Sequence, residues 1–123
     1  MDKVIHLVED DEDIRFVIDY ILREIGYTVE IFGTIAAFEA RSISRPPDLI
    51  ILDVMLPDGN GIDLCLQLKA NSATALIPII IMSAHSTEKA VLEAACAEEF
   101  ISKPFDLDEL TARIEKYLPL IPE

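Results

Sequence analysis

Five polar side chains stand directly after short apolar runs. Glu9 and Asp10 follow residues 4–8, Asp53 follows 49–52, Ser83 follows 78–82 and Lys103 follows 100–102. If those runs are neighbouring parallel strands, three carboxylates, a hydroxyl and an ammonium share the carboxyl edge of one sheet, where open α/β sheets build their sites. Converging carboxylates repel unless protons or a cation offset them. A hard divalent ion with oxygen ligands is the natural solution, and Mg²⁺ suits a site with few carboxylates and retained waters. Lys103 precedes Pro104, which restricts its backbone. A fixed ammonium there can pair with Asp53 and with a phosphoryl oxygen, and Ser83 can donate a hydrogen bond to the same group. Asp53 is then a nucleophilic carboxylate of the acyl-phosphate kind. Its surroundings would stabilise charge on the transferring group. Each residue also has a plainer reading. Acids after a strand often cap the next helix, an explanation that serves Asp11 or Asp13 equally well. A surface lysine is usually only solvated.

The elements that must hold these residues alternate along the chain. Residues 4–8 read as a buried strand. Apolar residues at Ile14, Val17, Ile18, Ile21, Leu22 and Ile25 fall on one helical stripe that Gly26 ends. Residues 28–32 form a second strand, 34–44 a weaker helix stopped by Pro46-Pro47, and 49–52 a third strand, apolar throughout as a strand buried on both faces should be. Residues 57–61, Pro-Asp-Gly-Asn-Gly, are a dense turn signal. A helix over 62–71, a strand over 78–82, a short helix over 87–95 and a brief strand over 100–102 follow. The last helix starts at Asp106, with Glu109 as capping-box partner. Leu107, Leu110, Ile114 and Leu118 are its stripe, and Pro119 ends it. Five βα units imply a parallel sheet covered by helices on both faces. No repeat or linker interrupts them, so residues 1–123 read as one domain with no second one expected.

Composition fits this. The chain has 123 residues, about half of them apolar, enough for a core without disulfide staples. Its net charge of −13 repels phosphate backbones, which argues against direct nucleic-acid binding, although many domains are acidic for solubility alone. Cys65 and Cys96 show no ligand spacing, and partly buried thiols in a reduced cytoplasmic protein are the expectation. His6 and His85 are isolated, which argues against zinc. No signal peptide and no apolar stretch of membrane-spanning length is present.

Four stretches now combine: Leu-Val-Glu-Asp-Asp at 7–11, Leu-Ile-Ile-Leu-Asp-Val-Met-Leu-Pro-Asp-Gly-Asn-Gly at 49–61, Ile-Met-Ser-Ala at 81–84 and Phe-Ile-Ser-Lys-Pro-Phe-Asp at 100–106. In this order and spacing they resemble the receiver domain of two-component response regulators, across nearly the whole chain. The resemblance implies a flavodoxin-like, doubly wound, three-layer α/β/α fold, with a five-stranded parallel sheet in the order 2-1-3-4-5 and five helices. It implies a phosphorylation-dependent switch rather than an enzyme, one that assists its own phosphorylation and dephosphorylation. Asp53 would be the phosphoacceptor. Asp10 would bind Mg²⁺ directly and Glu9 directly or through water, with Asp53 and the backbone carbonyl of Met55 as further ligands. Ser83 and Lys103 would engage the phosphoryl group, and the Lys103–Pro104 peptide would be cis. Phe100 would be an aromatic switch that turns inward when Ser83 moves, although a plain core residue is the alternative. Without the hydroxyl of the tyrosine often found there, it would report by packing only. Met55 and His85 would tune phosphoryl lifetime, with a solvated loop histidine as the alternative for His85.

The implied partners are a histidine kinase or phosphotransfer protein upstream, and a downstream protein on the face of the fourth helix, fifth strand and fifth helix. The chain would be a monomer or a phosphorylation-linked homodimer, because residues 109–114 resemble receivers that dimerise through this face. Two features depart from the family. The 20 positions between Ser83 and Lys103 are fewer than is common, which shortens the fourth helix or the loop before it. Cys96 stands where glycine usually caps that helix; a structural replacement is expected there rather than a redox sensor.

Other readings fit less well. An aspartyl-phosphate hydrolase needs a second acid soon after the nucleophile, and Val54 and Met55 follow Asp53. A flavodoxin-like cofactor binder needs a phosphate-cradling loop after strand one, where residues 9–13 are all acidic. A phosphorylation-independent receiver-like interaction module would be favoured by loss of the acidic pair or of Lys103, and both are present.

Overall fold

The apolar runs do form the central sheet. The computed structural model describes residues 3–41, 46–84 and 96–120. Strands β1 (Val4–Val8), β2 (Thr28–Phe32), β3 (Leu49–Asp53), β6 (Ile79–Ser83) and β7 (Glu99–Ser102) assemble in the order β2-β1-β3-β6-β7, all pairs parallel. This is the 2-1-3-4-5 order expected above. All residues of β1, β3 and β6 are buried, because helices cover both faces.

Alternation along the strands divides the core in two. Ile5, Leu7, Leu49, Ile51, Ile80, Met82 and Ile101 pack under α1 (Glu12–Ile25) and α4 (Leu107–Tyr117). Val8, Ile50, Leu52, Ile79, Ile81 and Phe100 pack under α2 (Ile35–Glu39) and α3 (Gly61–Ala70). The Asp11 side chain caps α1 through the Asp13 and Ile14 amides, and Gly26, at φ 125°, ends it. Only glycine takes that conformation without strain. Asp106 caps α4 through the Asp108 amide, and α4 ends one residue before the Leu118 cap that precedes Pro119.

Three details differ from the sequence expectation. Helix α2 stops at Glu39, where a helix to residue 44 was expected. Ala40 is its cap, and Arg41 turns back to donate to the Phe38 carbonyl at 2.7 Å and to lie over the Phe38 ring. The turn signal at 57–61 holds a hairpin, with β4 (Met55–Leu56) antiparallel to β5 (Gly59–Asn60). Cys65 and Cys96 are fully rather than partly buried, inside the α2/α3-side core. Burial, followed by its hydrogen bond to Cys96, pushes the Cys65 thiol up, so Cys65 is not poised as a thiolate. The expected helix over 87–95 and its shortening lie outside the described residues, among which there are four helices.

Candidate functional site

Backbone hydrogen bonds continue the sheet past its strand ends and place the polar side chains. The Glu9 amide donates to the Phe32 carbonyl at 3.0 Å, the Val54 amide to Met82 at 3.3 Å and the Lys103 amide to Ser83 at 3.0 Å. Ser83 lies opposite Ser102 in the β6–β7 register. The Lys103–Pro104 peptide is cis, as expected from the sequence. Behind Asp53 the chain turns into α3 through Gly61, whose amide donates to the Val54 carbonyl at 2.7 Å. A Cβ on Gly61 would lie 2.0 Å from the Asp53 carbonyl oxygen. Only a residue without a side chain allows this approach.

Carboxylate oxygens of Glu9, Asp10 and Asp53 lie within 4.8 Å of one another. Glu9 and Asp53 are buried, whereas Asp10 is exposed. Lys103 joins the two buried acids. Its Nζ donates to Glu9 Oε1 at 2.6 Å and to Asp53 Oδ2 at 3.2 Å. Glu9 Oε2 also accepts the Asp11 amide at 3.1 Å. Burial raises the Glu9 carboxyl above its ordinary range, against the opposing hydrogen bonds from Lys103 and the Asp11 amide. Burial alone would lower Lys103, but the hydrogen bonds and charges of Glu9 and Asp53 outweigh it, and the ammonium is held above its usual value.

The sequence reading placed Lys103 on Asp53; the shorter bond goes to Glu9. The signal was available, since an acid ending a central strand is buried and needs a cation. Ser83 is buried at the end of β6. The Met55 side chain is exposed on the hairpin beside Asp53, and Phe100 is buried in the α2/α3-side core. His85 lies outside the described residues. Asp58 was missed: its two carboxylate oxygens each accept an amide of α2, Ile35 to Oδ1 and Ala36 to Oδ2, both at 2.9 Å.

The family model for the response regulator receiver domain matches residues 5–115. The chain belongs to this family. It is 37% identical over 117 residues to the response regulator ArlR of Staphylococcus epidermidis, a match covering 95% of this chain and 53% of ArlR. The chain spans about half the length of the curated relatives it matches. Among solved structures, the non-phosphorylated HemR receiver domain from Leptospira biflexa aligns with a TM-score of 0.84 at 34% identity, over 98% of this chain and 97% of that one. The response regulator TrrA from Thermotoga maritima, solved in complex with Mg²⁺-BeF, aligns with a TM-score of 0.83 at 28% identity, over 94% of this chain and 99% of that one. The receiver is thus a signalling domain of the two-component class, and its fold is the one seen in these neighbours. Among the described residues, no helix is long and apolar enough to cross a membrane.

Proposed function

We propose that this receiver accepts a phosphoryl group on Asp53, with Mg²⁺, and that residues 1–123 act as one switching unit. The observation that supports this most is the shared ammonium: Lys103 bridges Glu9 and Asp53 within a cluster of three carboxylates. All donors of the cluster are carboxylate oxygens, which fits a hard cation. Glu9, Asp10, Asp53 and the backbone carbonyl of Met55 would hold Mg²⁺. Bound there, it would offset negative charge on the transferring phosphoryl group.

The chain's own residues do the rest. Lys103 holds Asp53 Oδ2, which orients the carboxylate for attack by its other oxygen on the donor's phosphorus. The new O–P bond forms as the donor's own bond to phosphorus breaks. The Lys103 ammonium and the Ser83 hydroxyl then hold phosphoryl oxygens. The donor is a histidine kinase, a phosphotransfer protein or a small acyl phosphate. Attack of water on the same phosphorus, which breaks the Asp53 O–P bond, releases inorganic phosphate and restores the carboxylate, makes the receiver an assistant in its own dephosphorylation.

Ser83 is backbone-bonded to Lys103 and lies one strand from Phe100, so movement at Ser83 has a short path to the aromatic switch and to a partner face on β7 and α4. On that face Arg113 and Lys116 of α4 pair with Glu99 of β7 at 2.9 and 3.1 Å, which supports movement of α4 and β7 as a unit. The readout is by protein contact, as a monomer or a phosphorylation-linked homodimer. The acidic charge disfavours direct nucleic-acid contact by this domain, and a cytoplasmic location suits its donors.

Intact mass after incubation with a small acyl phosphate tests the core of this reading. One Mg²⁺-dependent phosphoryl adduct, lost in Asp53→Asn, is the expected result. A folded protein that forms no adduct sinks it and favours the phosphorylation-independent module. Exchanging Met55 and His85 together is expected to change the decay time of the adduct without abolishing its formation. Unchanged decay removes them from that role.

A further inference from the structure

We propose that Asp58 is a positioning residue for the metal site, clamping the β4–β5 hairpin to α2 so that the Met55 carbonyl is held in place. This rests on the reading of that carbonyl as a metal ligand. Met55 leaves the sheet directly after Asp53 and Val54, on a hairpin of two residue pairs, Met55 with Asn60 and Leu56 with Gly59. So short a hairpin is not stable by its own ladder. Its two ends are fixed by the fold. Leu56 is buried in the α2/α3-side core, and Gly61 packs against the Asp53 carbonyl. The Asn60 side chain caps α3 through the Ile62 amide at 2.7 Å.

The turn between them, Pro57-Asp58, is exposed. Asp58 secures it with both carboxylate oxygens, one to each of the first two amides of α2. Such charge-assisted bonds to a helix start are stronger than neutral ones. Helix α2 does not need Asp58 for its own start, because the Thr34 hydroxyl already accepts the Ala37 amide at 3.0 Å. The second cap arrives from 22 to 23 residues away. It ties the loop after β3 to the loop after β2, on either side of Glu9 and Asp10, which follow β1. Contact continues at Gly59, where a Cβ would fall 2.8 Å from the Ile35 Cδ1 atom. A hairpin held at its turn as well as at its ends presents the Met55 carbonyl in one place; released, it must be ordered by the ion.

The test is a Mg²⁺ titration of the full chain followed by the Val54 and Met55 amide resonances, with hydrogen exchange at Ile35 and Ala36 in metal-free protein. Asp58→Ala is expected to speed exchange at both amides and to weaken Mg²⁺ about ten-fold, the low end for residues that orient metal ligands. The adduct formed at saturating Mg²⁺ should be unchanged. Asp58→Asn keeps one acceptor oxygen and should fall between wild type and Asp58→Ala. Thr34→Val removes the other α2 cap; it should lower stability while leaving Mg²⁺ affinity alone. Wild-type affinity in Asp58→Ala overturns the proposal. So does an Asp58→Asn loss as large as that of Asp58→Ala, which would assign the effect to charge, or an equal loss in Thr34→Val, which would assign it to α2 itself. A wild-type protein that binds no Mg²⁺ would instead sink the metal reading on which the proposal stands.

Discussion

Two buried ionisable side chains lie three residues apart at the first strand, and the fold treats them in opposite ways. Glu9, just past β1, meets an ammonium at 2.6 Å and a backbone amide at 3.1 Å. His6, within β1, sits among aromatic rings. Phe32 and Phe38 approach it edge-on at centroid distances of 5.3 and 6.0 Å, and only Nε2 has a partner, Glu30 at 3.2 Å. At the sheet edge, burial is answered by pairing, and the Lys103 ammonium is held charged between the two acids. Three residues earlier, burial lowers the pKa of the imidazole, and the neutral ring serves as an aromatic core residue. Burial alone therefore does not mark a site; the company of the buried group does.

The aromatic nest should be held by packing. Phe38 is fully buried, touches His6 and Phe32, and carries the Arg41 guanidinium 3.8 Å from its centroid. Phe38→Ala is expected to cost about 3–5 kcal/mol in urea unfolding, with little dependence on salt. A loss below about 1 kcal/mol would show that the nest collapses freely onto the cavity.

The edge should be held by charge. Lys103→Met leaves Glu9 and Asp53 facing each other without their cation, and stability at neutral pH should drop by about 3 kcal/mol, the low end for a broken buried pair. The sign follows from Lys103 being raised above its ordinary 10.5. Its contribution is complete below 10.5 and is lost as pH climbs through the higher folded-state value. Wild type and variant should therefore converge in strongly alkaline solution. Parallel pH curves would mean that the ammonium is not what holds the edge.

The contrast also explains what could be read from the residues alone. Strand positions were legible because β1, β3 and β6 are largely apolar runs, their order through the family resemblance, and the site because its polar residues stand at their ends. Helix α2 was legible at its start, through Thr34, but not at its end, because Arg41 folds onto Phe38 through a contact that periodicity does not encode. The Pro-Asp-Gly-Asn-Gly run announced a turn without revealing that Asp58 would leave it to cap a helix some twenty residues earlier in the chain. Gly61 looked like ordinary turn glycine; its reason is the Asp53 carbonyl across the turn. His6 drew attention only as an isolated histidine, since nothing local marks a ring that two aromatic contacts and the Glu30 pairing would bury. Such information is tertiary, carried by which strand lies beside which.

The smallest expected effect is also the sharpest on His6. Its pKa lies below the ordinary 6.5, first because burial penalises the cation and next because Glu30, by its charge and its hydrogen bond, only partly offsets that; Arg41 lowers it further. Below 6.5 the unfolded chain takes up a proton that the folded ring resists, so the stabilising contribution is full above 6.5 and declines as pH falls below it. Between pH 7.5 and 5.5, wild type should lose more stability than His6→Leu, whose remaining titrating groups are the same. Glu30→Gln removes the one influence that helps the ring accept a proton, and should steepen the loss beyond wild type. Should the three proteins share one slope, His6 takes up its proton in the folded state as readily as in the unfolded one. The aromatic nest would then tolerate a charge much as the edge does at Lys103, and the distinction between the two ends of this strand would lie in geometry rather than in ionisation.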